Sequence, residues 1–106
     1  MHRGDIWWVN FSGATGGEVQ KTRPAVIVSN DASNANANRV QVIPLSTQTG
    51  KLYPCEALVT VKGSRSKAMA DQVSTVSKQR LTGYLDRVSK DEMRTVELAL
   101  KIHLGL

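Results

Sequence analysis

Short apolar runs broken by glycine, proline and asparagine fill the chain up to Val88, and a helical period takes over only from Ser89. The aromatic and β-branched run Ile6-Trp7-Trp8-Val9-Asn10-Phe11 predicts a first strand. The following SGATGG, residues 12–17, carries too much glycine for regular structure and is expected to form a mobile loop. Pro24–Asn30 and Arg39–Ser46 predict the second and third strands, and the polar DASNANAN between them reads as a short helical turn or an open loop. Glu56–Lys62 alternates as a fourth strand, and Lys67–Val76 fits a fifth, with Gly63-Ser64-Arg65 turning between them. Lys78–Leu81 is expected to make one helical turn and Gly83–Val88 a short last strand.

Ser89 with Glu92 three residues on forms a capping box, and Met93, Val96, Leu100 and Leu104 follow at helical spacing. Leu98 and Ile102 widen the apolar side, which predicts a well-covered helix that Gly105 ends. With no repeat and no linker, residues 1–106 read as a single domain of the α+β class. Several short strands and one terminal amphipathic helix imply a small, strongly curved antiparallel sheet or half-barrel packed on that helix.

Composition narrows the partners. No apolar stretch approaches the roughly 20 residues of a membrane span, and the start of the chain lacks a signal-peptide core. Cys55 is the only cysteine, so no internal disulfide can form, and a cytoplasmic location is expected. The net charge of +5 tilts the partners toward polyanions, or toward an acidic protein that mimics one.

The candidate chemistry is sparse. One cysteine and two histidines (His2 and His103) without ligand spacing make no zinc constellation, and no glycine-rich phosphate motif precedes a Lys-Ser/Thr pair, so no metal or cofactor is expected. His2 reads as a frayed terminal residue, His103 as a packing or surface residue and Cys55 as a small structural thiol. Arg23 is different. Pro24 fixes its own φ, holds Arg23 extended, and thereby aims a permanently charged planar fork from the mouth of a strand. Beside it lie Glu18-Val19-Gln20-Lys21-Thr22, and the hydroxyl cluster Ser46-Thr47-Gln48-Thr49 ends the third strand. If the second and third strands are neighbours, arginine and hydroxyls share one rim and form a cradle for a phosphate.

Taken in order, these blocks resemble the MazF/PemK family of toxin endoribonucleases from toxin–antitoxin modules, essentially from end to end. The matching stretches are Arg3-Gly4-Asp5-Ile6-Trp7-Trp8-Val9, Gly17-Glu18, and Thr22-Arg23-Pro24-Ala25-Val26-Ile27-Val28-Ser29-Asn30. Val42-Ile43-Pro44-Leu45-Ser46, Asp71-Gln72, Ser77-Lys78-Gln79-Arg80-Leu81 and the closing Leu104-Gly105-Leu106 complete them. The resemblance implies a small SH3-like antiparallel β-barrel with a C-terminal helix, usually a homodimer. It also implies metal-independent, sequence-specific cleavage of single-stranded RNA, in which a 2′-hydroxyl attacks its own 3′-phosphate to leave a 2′,3′-cyclic phosphate and a 5′-hydroxyl.

The family's catalytic arginine falls on Arg23. Its hydroxyl partner, commonly threonine, falls on Ser46, with Thr47 immediately after it as the alternative, and its acidic residue falls on Glu18. Chemically, Arg23 would neutralise the charge that builds on phosphorus, Ser46 or Thr47 would donate to a non-bridging oxygen, and Glu18 would take the 2′-hydroxyl proton. Gln20, Gln48, Asp71, Gln72, Lys78 and Gln79 offer edges that read exposed bases. Thr22 belongs to the same rim, Lys21, Lys51 and Arg80 suit the RNA backbone, and Trp7 and Trp8 suit stacking or packing. A cognate antitoxin with an acidic, partly disordered segment is expected to compete for the same groove. The rival readings are a gyrase poison of the related CcdB type and a non-catalytic RNA-binding module; Arg23 in Thr-Arg-Pro, five residues after Glu18, favours the nuclease.

Overall fold

The computed structural model describes residues 1–13, 16 and 21–106, so the predicted loop at 12–17 lies largely outside the described residues. The described elements are β1 (Asp5–Asn10), β2 (Thr22–Ile27), α1 (Asp31–Asn36), β3 (Arg39–Ser46), β4 (Glu56–Val61), β5 (Ser64–Met69), β6 (Ser74–Ser77), β7 (Leu81–Arg87) and α2 (Lys90–Leu104). Two single 3₁₀ turns, Ala70–Gln72 and Lys78–Arg80, flank β6. All observed pairings are antiparallel, in the order β4-β5-β3-β2-β1-β7, with β6 lying on β3. The sheet curls until its two outer strands approach: the Lys62 N–H donates to Asp86 Oδ2 at 2.8 Å.

The central strands carry near-continuous apolar runs because both of their faces are buried. Val26, Ile43, Leu45 and Val59 pack with Val96 and Ala99 of α2 in one cluster. Ala25, Ile27, Val40 and Val42 join Val9, Val76 and Leu81 in a second cluster on the opposite face. Alternation along each strand sends neighbours to opposite clusters.

The predicted turn at Gly63-Ser64-Arg65 is corrected. Val61 pairs with Ser64, so the hairpin loop is the two-residue Lys62-Gly63, with φ of 49° and 81°. Two positive φ values make a type I′ turn, whose twist matches the strands, and β5 therefore starts three residues before the expected Lys67. The predicted run to Val76 is also split at Ala70-Asp71-Gln72, where the chain passes from β5 to β6.

In α2, the Ser89 Oγ accepts from the Glu92 N–H at 3.2 Å, and Gly105 ends the helix at φ 71°. The expected box is only half formed, because the Glu92 carboxylate instead accepts from the Thr60 N–H and Oγ1, both at 2.9 Å. The expected full cover of α2 does not hold: Leu98, Ile102, Leu104 and Leu106 are exposed. With Leu52, Pro54 and Leu58, Leu98 and Ile102 border a groove of about 480 Å³.

The N-terminus is pinned rather than frayed. The His2 N–H bonds Asp5 at 2.8 Å and the Arg3 N–H bonds Asp31 at 2.7 Å. The Arg3 guanidinium reaches the Val28 carbonyl and Glu97, and Arg87 closes on the buried Asp5 at 2.7 Å. The Asp86 carboxyl is held below the usual carboxylate range chiefly by the Lys62 amide, and Asp31 by the Arg3 amide. Their contribution to stability is present above the unfolded-state value and is lost as pH falls through the lower folded-state value. The urea midpoint is expected to drop as pH is lowered from about 4 toward 2, and Asp86→Asn should flatten part of that drop.

Candidate active site

The site begins with an amide that is not there. The Val28 N–H donates to the Gln41 carbonyl at 2.9 Å across β2 and β3, so alternate residues of β2 direct their amides at β3. Two steps back along that alternation from Val26 stands Pro24, which has no N–H. The β2–β3 ladder accordingly stops at Ala25–Pro44. Beyond it the two strands leave each other, and the next like-facing residues are Arg23 on β2 and Ser46 on β3.

Register completes a transverse row. Arg23 pairs with Val9, Val9 with Leu81, Ser46 with Lys67, and Lys67 with Leu58. Arg23 shares its sheet face with Ala25 and Ile27, and Ser46 shares the same face with Pro44 and Val42. Arg23 and Ser46 therefore lie on the same sheet face, just past the last β2–β3 pair and next to the residues of the second core cluster. Arg23 is exposed and has no ion pair among the described residues. The Ser46 hydroxyl oxygen accepts from the Gln48 N–H at 3.2 Å, which leaves its proton available as a donor. Thr47 and Gln48 are exposed just past the strand end.

The other sequence-predicted residues divide. Thr22 pairs with Asn10 beside Arg23, and Lys21, at φ 66°, accepts the Phe11 N–H on its carbonyl. Arg80 reaches the same end of β1, donating to the Asn10 and Ser12 carbonyls at 3.0 and 3.2 Å. Lys51 is exposed, with Nζ 5.0 Å from the Tyr53 ring centroid. Asp71 and Gln72 lie in the turn between β5 and β6. Lys78 is engaged within the fold: its ammonium donates to the Asn34 carbonyl and its N–H to the Asn38 carbonyl, at the start of β3, and Gln79 is exposed on the same turn. Trp7 packs on the second cluster, edge-on to Tyr84 at 6.1 Å, while Trp8 remains 39% exposed. Glu18 and Gln20 lie outside the described residues.

Two residues escaped the sequence reading. Lys67 is the neighbour of Ser46 in the transverse row, and its ammonium pairs with Glu56 at 3.1 Å, the side chains being only 11% and 8% exposed. Their partnership depends on the β4–β5 register, in which Leu58 pairs with Lys67, and a strand beginning at Lys67 does not contain that register. Lys67→Met strands a desolvated carboxylate and is expected to destabilise by about 3 kcal/mol. The double variant with Glu56→Gln should recover a clear part of that loss in urea unfolding.

A curled antiparallel half-barrel closed by a terminal helix is the architecture of solved MazF toxins. The chain belongs to the PemK-like, MazF-like family of toxins of type II toxin–antitoxin systems, which it matches over residues 2–104. It is 39% identical to endoribonuclease MazF9 of Mycobacterium tuberculosis, covering 100% of this chain and 98% of that one. Among solved structures it is similar to MazF of Deinococcus radiodurans, with TM-score 0.88 and 25% identity over 100% of this chain and 97% of that one. It is also similar to a mycobacterial endoribonuclease in complex with its cognate antitoxin, with TM-score 0.84 and 26% identity over 100% of this chain and 96% of that one.

Proposed function

We propose that this toxin cleaves single-stranded RNA at Arg23 and Ser46 without a metal ion. The observation that supports this reading is an exposed guanidinium, free of carboxylate partners among the described residues, just past the last β2–β3 pair on the sheet face it shares with Ser46. The 2′-oxygen attacks the adjacent phosphorus, the bond to the 5′-oxygen breaks, and the products are a 2′,3′-cyclic phosphate and a 5′-hydroxyl. Nucleophile and electrophile belong to one nucleotide, so alignment and charge neutralisation are what the protein has to supply. Arg23 offers two donors to the developing charge and, with no acceptor of its own, does not serve as a base. Ser46 or Thr47 donates to a non-bridging oxygen, Glu18 takes the nucleophile's proton, and the departing 5′-oxygen takes a proton from water.

Lys21, Lys51 and Arg80 supply positive charge along the RNA backbone, and Gln20, Gln48, Asp71, Gln72, Lys78 and Gln79 are the candidates for reading bases. A cognate antitoxin presenting an acidic, partly disordered segment would compete for the same field. The cellular setting of this reading is the cytoplasm, where messenger RNA is the target. Arg23→Ala is expected to slow single-turnover cleavage in EDTA by about 10²–10³-fold at unchanged thermal stability. Cleavage by the folded variant at the wild-type rate would falsify the role.

The active form in this reading is a homodimer of one-domain chains, and the support is the apolar side of α2. Leu98 (59% exposed) and Ile102 (51%), four residues apart on α2, form an exposed apolar stripe that a second copy would cover. Leu98→Asp with Ile102→Asp is expected to convert a dimer into a monomer in sedimentation velocity. A wild-type protein that sediments as a monomer at micromolar concentration refutes the assembly.

A further inference from the structure

The connection between β3 and β4 is held more firmly than an exposed loop requires. The Tyr53 N–H donates to Glu56 Oε1 at 2.9 Å, and the Glu56 N–H returns a bond to the Tyr53 carbonyl at 2.9 Å. Lys67 Nζ donates to that same carboxylate oxygen and to the Lys51 carbonyl, both at 3.1 Å. The Ala70 N–H fastens the neighbouring Cys55 carbonyl at 3.0 Å. A nearly buried ion pair adds little net stability once desolvation is counted, so the arrangement calls for another use.

The clamp presents a phenol ring. Tyr53 is 50% exposed, with the ammonium groups of Lys51 and Lys67 at 5.0 and 5.9 Å from its centroid. Lys67 is also the cross-strand neighbour of Ser46. Lys67 therefore adjoins both the ring and Ser46.

We propose that Tyr53 is a stacking platform for an unpaired RNA base next to the linkage held at Arg23 and Ser46, an assignment that rests on the ribonuclease reading above. Every base has a π-face, and a ring whose backbone is already fixed loses little freedom when a base lies on it. Lys67 stays with Glu56. Lys51 is exposed and meets the ring only through a cation–π contact, so it can move to a flanking phosphate when a base takes its place. Stacking discriminates weakly among bases, so Tyr53 contributes affinity and leaves the choice of sequence to other groups.

The test uses the full-length protein and a single-stranded oligoribonucleotide centred on a sequence that the wild type cuts, made uncleavable by a 2′-deoxy sugar at the cut. Tyr53→Phe should bind within about twofold of wild type. Tyr53→Leu, which keeps apolar bulk but loses the ring, should bind roughly 10- to 100-fold more weakly, the range expected for one lost base–aromatic stack. On the cleavable RNA, Tyr53→Leu should cut the same sequences at an unchanged single-turnover rate once saturated. With the wild-type protein, 2-aminopurine scanned through the positions flanking the cut should show one strongly quenched site. Wild-type affinity in Tyr53→Leu, a loss confined to the saturated rate, or no quenched position would overturn the platform alone. A wild-type protein that neither binds nor cuts RNA would overturn the ribonuclease reading with it.

Discussion

A sheet needs a donor at every second position of an inner strand, and β2 lacks one at Pro24. Pairing between β2 and β3 ends there. The same proline holds Arg23 extended just past the last pair. Both consequences follow from one pyrrolidine ring: an interrupted ladder and a cation fixed beside the interruption. The strand beyond that point is held on both faces, since every residue from Ala25 to Val28 is committed to one core cluster or the other.

What could be read from the residues in advance was what local chemistry dictates. β3 has the predicted bounds, Ser89 and Gly105 bracket α2, and Arg23 stood out because its neighbour is proline. What escaped depends on contacts distant along the chain. Lys62-Gly63 is a two-residue turn only because Val61 and Ser64 pair across it, and without that register Gly63-Ser64-Arg65 is as reasonable a turn. Glu92 has the spacing of a capping box, yet its carboxylate is drawn to the unpaired amide of Thr60 on another element. The Glu56–Lys67 pair joins two strands of a hairpin whose register had been misplaced, so it was invisible. Leu98 and Ile102 keep the helical period of core residues, and periodicity alone does not say whether the cover comes from the same chain.

The blocks that carry the family pattern do different work. Arg3-Gly4-Asp5 ties the first strand to Val28, Glu97 and Arg87, binding the chain's beginning to its last helix and strand. Thr22-Arg23-Pro24 ends the β2–β3 ladder, and Ser77-Lys78-Gln79-Arg80 returns the chain from β6 to β7 while securing both α1 and the exit of β1. A motif block is thus not a list of contacts to a substrate. In this chain most of its residues keep a few others in place.

The carboxylates of Glu92 and Asp86 occupy the amides of Thr60 on β4 and of Lys62 just past its end. That strand would otherwise offer an open row of donors to any extended peptide. With two of them capped by negative charge, a strand from another molecule meets fewer free donors there, and growth of the sheet from one molecule to the next is discouraged at this border.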